Sequence, residues 1–197
     1  MAHQLALFKS GERNTGLAPA MIPFAVALSP QDMRDVGAFF ATKVASAGIA
    51  DDAVVAEGPY KGMKFYEVGQ QLYRGGDAAR GIPACLACHG PAGTGNPGPA
   101  YPHLGGQWQD YTARRLQEYR EGTTQEKDPV LFHIMSQVSN RLTDQEIQSL
   151  ATFLQGLHDR ADDAAAASTP AAAPAPAPAA PVEAAPAPAA EPAPQQS

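Results

Sequence analysis

The sequence predicts an all-α protein followed by an unfolded tail, and three observations lead there. Two segments open with a helix-capping box and continue with an apolar stripe of helical period. They are Ser29-Pro-Gln-Asp32, leading into Met33, Val36, Gly37 and Phe40, and Thr143-Asp-Gln-Glu146, leading into Ile147, Leu150, Ala151 and Leu154. No stretch alternates apolar and polar residues in the manner of a half-buried strand. From Ser168 to Ser197 the chain is nearly all Ala and Pro, with nine of its 19 prolines and Val182 as its one large apolar side chain. Nothing there can offset the entropy of ordering it, so a disordered Ala/Pro-rich tail is expected over 159–197.

The elements follow in order. Leu5, Phe8 and Gly11 stand 111 positions ahead of Leu116, Tyr119 and Gly122, and Met21 to Phe40 stand 114 positions ahead of Met135 to Leu154. The repeat marks residues 1–46 as the closing half of a module that the chain later states in full. Residues 47–66 read as a linker. The full module, 67–158, begins with Val68–Tyr73 leading into a short helix that breaks at Gly75-Gly76. The run GPAGTGNPGPAYPHLGGQ (90–107) is too rich in Gly and Pro to be helix or strand. A helix over Trp108–Glu121 stops at Gly122, with Tyr111, Leu116 and Tyr119 as candidates for burial. Ile134–Leu142 reads as a loop leading into the last helix, which Thr143 caps.

Charge and hydropathy exclude several functions. Of the net charge of −6, residues 159–197 carry −4, and residues 1–69 and 70–158 carry −1 each. A body so near neutral offers no basic patch to nucleic acid. No stretch approaches the about 20 apolar residues of a membrane-spanning helix. The N-terminus MAHQLALFKSGER lacks the charged start and long apolar region of a secretory signal.

The two cysteines, Cys85 and Cys88, are followed directly by His89. C-x-x-C-H is the attachment signature of a c-type haem. Residues three apart project from nearly the same side of a helical turn, so both thiols can add to one porphyrin edge. The next residue then brings its imidazole under the iron as proximal ligand, and no cysteine remains for a disulfide. Two other chemistries share part of the pattern. A redox dithiol uses C-x-x-C, but in a βαβ setting that this sequence does not predict. A zinc site wants four ligands, and His103 is the other nearby candidate.

Met135, 46 residues after His89, is the candidate sixth ligand. Thioether sulfur is soft and neutral and favours ferrous iron. His133 and His103 are rival ligands, and a methionine on a helical segment is otherwise core filler. Met21 occupies the repeat position of Met135, but no cysteine precedes it and His3 is the histidine ahead of it. It is read as core or surface filler.

With these residues in view, the sequence resembles the cytochrome c4 family of two-domain, two-haem bacterial electron carriers. The resemblance is carried by LYRGGDAARGIPACLACHGPAGTGNPGPAYPHLGGQ (72–107), Met135 and LTDQEIQSLATFLQGL (142–157), with a counterpart in 8–41. It implies a cytochrome-c-like helical domain preceded by the C-terminal half of a second such domain. It further implies Cys85 and Cys88 as thioether sites, His89 and Met135 as axial ligands, and one haem c in this chain. The function implied is single-electron transport between respiratory complexes in the periplasm, not enzymatic catalysis. The partners implied are a cytochrome bc complex and a terminal oxidase, with peripheral membrane association as an option. A full-length product is expected to extend upstream with a signal and another C-x-x-C-H for a second haem. The alternative reading is a haem enzyme, a peroxidase or oxidase subunit with a displaceable sixth ligand.

Overall fold

The structure, a computed structural model, describes residues 1–43, 46–123 and 129–159. Among them the regular secondary structure is helical, with three isolated antiparallel bridges in the loops, and no helix is long and apolar enough to cross a membrane. The Ala/Pro tail expected over 159–197 lies outside the described residues from position 160 onward.

The first unit is three helices: α1 (Ala2–Ser10), α2 (Ile22–Val26) and α3 (Pro30–Ala41). The capping box forms as expected. Asp32 N–H donates to Ser29 Oγ at 3.2 Å and Ser29 N–H donates to the Asp32 carboxylate at 2.8 Å. The stripe behind it departs from expectation. Met33 is buried, but Phe40 stays half exposed beside an exposed Phe39. Leu5, Phe8 and Ala25 are the other buried apolar residues of this unit. The short α1 packs against α3, and so small a neighbour leaves the rest of the stripe uncovered.

Residues 47–66, expected as a linker, are largely exposed but touch the second unit at a few points. Val55 is buried in the main core, Val54 bridges Lys64, and the Tyr60 hydroxyl donates to Glu146 at 2.8 Å. The physical reason is apolar content: Val55, Tyr60 and Met63 all find partners in that core.

The second unit is built from α4 (Phe65–Gly75), α5 (Leu86–His89), α6 (Gln109–Glu121), α7 (Pro129–Ser139) and α8 (Asp144–Gly156). Helix α4 begins ahead of Val68 because the Glu67 carboxylate accepts from Lys64 N–H at 2.9 Å. Helix α6 buries Thr112 and Ala113 and leaves Tyr111, Leu116 and Tyr119 half-buried. Helix α7 stands where a loop was expected. Its apolar run packs on α6, with the Phe132 and Tyr119 rings 5.8 Å apart. Helix α8 has the expected box and stripe, with Ile147, Leu150, Ala151 and Leu154 all buried.

Helices α4 and α8 cross at Gly69. A Cβ there would lie 2.0 Å from the Ser149 carbonyl oxygen, so the two backbones touch. Beside the crossing, Tyr73 packs its ring 5.5 Å from that of Phe153. At the start of α8, Glu146 is only 2% exposed and accepts from Arg80, Tyr60 and the Thr143 backbone. Burial works to raise its pKa, but Arg80, Thr143 and Tyr60 outweigh that and hold the carboxyl below its ordinary value.

Two predictions follow from this core. Gly69→Ala should cost about 3 kcal/mol, read by thermal or denaturant unfolding, because backbone rather than a side-chain tip blocks the new methyl. Glu146, with its folded pKa below its unfolded value of about 4.3, contributes stability that is full above that value and lost as pH falls through the folded one. Glu146→Gln should therefore lose about 2 kcal/mol at neutral pH, less than a fully buried pair because Arg80 is partly exposed. It should also flatten the acid limb of the stability curve below about pH 4.

Candidate functional site

Helix α4 ends at Gly76, where a Cβ would lie 2.3 Å from the Ile82 carbonyl oxygen; its φ of 63° also suits glycine. The following loop is closed by reciprocal 2.8 Å hydrogen bonds between Asp77 and Ile82. Arg80 reaches from it to Glu146, and buried Ile82 pins it to the core. The chain is thereby delivered to Cys85.

Cys85 to His89 makes one helical turn. The amides of Cys88 and His89 donate to the Cys85 carbonyl at 3.2 and 3.0 Å. Both cysteines are free thiols; Cys85 packs at the margin of the core and Cys88 is exposed. Burial pushes the Cys85 thiol up to about 11. His89 is buried, and its Nδ1 lies 3.0 Å from the Pro102 carbonyl oxygen. Burial lowers the imidazole pKa, with the Pro102 contact opposing it. A neutral ring that donates Nδ1–H to Pro102 leaves the Nε2 lone pair available. No hydrogen bond engages Nε2 among the described residues.

The Gly/Pro-rich stretch 90–107 is a loop, as expected, and it wraps the turn. The Gly95 amide donates to the His89 carbonyl at 2.9 Å, and Asn96 and Tyr101 form a two-bond bridge. That bridge sets Pro102 opposite the imidazole and brings the Tyr101 ring to 6.1 Å from it. The Tyr73 hydroxyl donates to the Gly90 carbonyl at 2.6 Å. Sequence reasoning did not single out Pro102 or Tyr73 for these roles. A carbonyl acceptor has no side-chain signature, and Tyr73 reads simply as part of an apolar helix.

Met135 lies apart from this turn, half-buried on α7. His133 is exposed on the same helix, and residues two apart on a helix point in different directions. His103 is exposed with its Nε2 2.9 Å from the Gly105 carbonyl oxygen. Met21, the repeat counterpart of Met135, is 38% exposed beside exposed Phe24 and Val26. Among the described residues no cluster of three or more His, Cys, Asp or Glu is placed to hold a metal ion.

The donor set fits a haem c. Two free thiols three residues apart, with the next residue presenting an oriented, neutral imidazole nitrogen, match two thioether points and one iron ligand. The redox-dithiol reading is disfavoured by the absence of any strand among the described residues.

Comparisons with known proteins agree. The family model for cytochrome c matches residues 66–158. Cytochrome c4 of Pseudomonas aeruginosa is 39% identical over 132 residues, covering 66% of this chain and 59% of that protein. Cytochrome c4 of Thiocapsa roseopersicina is 36% identical over 155 residues, covering 78% of this chain and 71% of that protein. The crystal structure of reduced recombinant cytochrome c4 from Pseudomonas stutzeri superposes with a TM-score of 0.65 at 34% identity, over 80% of this chain and 79% of that one.

Proposed function

The chain belongs to the cytochrome c4 family, and from that premise we propose that it carries single electrons through its covalently bound haem c. Cys85 and Cys88 are the thioether sites, His89 the proximal ligand and Met135 the distal one. The observation that carries this reading is the state of His89: buried, next to Cys88, donating Nδ1–H to Pro102 with Nε2 uncommitted.

Haem iron exchanges one electron between its ferric and ferrous states, at a potential set by its axial ligands and surroundings. The residues of this chain prepare the site for that exchange. Pro102 fixes the imidazole tautomer and its plane. The core side of Cys85 and the loop from Gly90 to Gln107 would flank the side on which His89 holds the group. Met135 supplies a neutral, soft donor, and it is favoured over His133 because it is half-buried where His133 is exposed. A haem held by both His89 and Met135 would offer a substrate no open site, which supports a carrier and not an enzyme.

We read 67–158 as the haem-bearing domain, with 47–66 touching it at a few points, and 1–46 as the closing half of a second domain. The working compartment is the periplasm. The donor is a cytochrome bc complex and the acceptor a terminal oxidase, met at the membrane face. The near-neutral body suits encounters with little electrostatic steering.

Protein produced with a haem-maturation system should gain the mass of one haem. The double variant Cys85→Ala, Cys88→Ala should lose covalent haem, seen as loss of haem stain on a denaturing gel. Met135→Ala should abolish the long-wavelength band of methionine-ligated ferric haem and lower the potential, while His133→Ala leaves both in place. A native ferric protein that is high-spin and binds peroxide readily would overturn the carrier reading in favour of the haem enzyme.

A further inference from the structure

Tyr73 is 0% exposed, yet it is a tyrosine where a phenylalanine would fill the same space. Its hydroxyl makes one contact, the 2.6 Å hydrogen bond to the Gly90 carbonyl. Gly90 directly follows His89 and begins the loop that returns at Pro102. The other hydrogen bond to that carbonyl comes from Gly93 N–H at a longer 3.2 Å. The same loop root is held by Gly95 N–H on the His89 carbonyl and by Gly90 N–H on the Leu86 carbonyl, each at 2.9 Å. The hydroxyl of Tyr73 is the side-chain tie between the helix crossing and this root.

We propose that Tyr73 is a positioning residue for the proximal ligand. Through its hydroxyl it fixes Gly90 and thereby the distance between His89 Nδ1 and the Pro102 carbonyl. This rests on the reading of His89 as proximal ligand. The consequence is electronic as well as structural. A ring that donates Nδ1–H to a carbonyl gains electron density and becomes a more basic ligand, which favours the ferric state. Slackening the loop root lengthens that bond, makes the ring less basic and favours the ferrous state. Burial raises the Tyr73 pKa, so the hydroxyl remains a neutral donor.

The test uses the full, haem-loaded chain. Tyr73→Phe keeps the ring and removes the hydrogen bond. At a fixed redox poise the ferrous-to-ferric ratio should rise about threefold to tenfold, the equivalent of one neutral hydrogen bond. In the ferrous protein the His89 ring N–H should exchange with solvent faster by NMR. Phe153→Leu is the control: it loosens the packing of the same ring and keeps the hydroxyl, so it should lower the melting temperature and leave the ratio in place. Should Tyr73→Phe fail to mature, fluorotyrosine placed at position 73 makes the hydroxyl a stronger donor and should move the ratio the opposite way. A Tyr73→Phe protein that melts earlier with unchanged ratio and exchange rate overturns the inference. So does a Phe153→Leu protein whose ratio moves as far. A wild-type protein whose iron is not ligated by His89 overturns this inference and the site assignment together, and the His89 ring-proton signal tells the two failures apart.

Discussion

The packing turns on a contact between two backbones, where Gly69 of α4 lies on the Ser149 carbonyl of α8. Nothing larger than hydrogen fits between them. Because the helices are in contact there, Tyr73 one turn later meets Phe153, and the end of α4 is aimed at a definite point. The short loop that follows, closed by Asp77 and Ile82, has little freedom left, so the turn bearing both thiols is set by a helix crossing that contains neither. The turn is tied to α8 at both ends of that helix. Arg80 reaches Glu146 at its start, and Tyr73 joins Phe153 near its end to Gly90.

Around His89 the structure uses backbone where a motif search looks for side chains. The acceptor for Nδ1 is a peptide carbonyl, and the loop that presents it is held by amide-to-carbonyl bonds from Gly95, Asn96 and Tyr101. A loop of small residues suits that purpose, because side chains at Gly93 or Gly95 would meet backbone at 2.8 and 2.5 Å. The imidazole is thus oriented by a backbone carbonyl that any sequence contains, while burial keeps it neutral.

The first unit shows how far a repeated pattern carries. Its capping box forms with the same donors and acceptors as the box at Thr143. Its stripe does not bury in the same way, and Phe24, Val26, Phe39 and Phe40 remain exposed among the described residues. Capping is a local event, complete within four residues. Burial needs a neighbouring surface, and around α3 there is too little of it. The unit is nonetheless joined to the second one, through Arg13 donating to the Tyr111 hydroxyl at 2.7 Å.

What the sequence determined by itself was whatever depends on spacing along one chain. The helical class, the two capping boxes, the stripe of α8 and the presentation of Cys85, Cys88 and His89 on a single turn all follow from neighbours within a few residues. Tertiary structure decided the rest. It placed Val55 of the 47–66 segment in the core, made a helix of the segment around Met135, and chose Thr112 and Ala113 over Tyr111, Leu116 and Tyr119 for full burial in α6. It also supplied Pro102 and Tyr73 as partners of the Cys85–His89 turn. Each of these depends on which surface arrives opposite a residue from far along the chain, and that is settled by packing, where volume and unpaired hydrogen-bonding groups are counted across the whole domain at once.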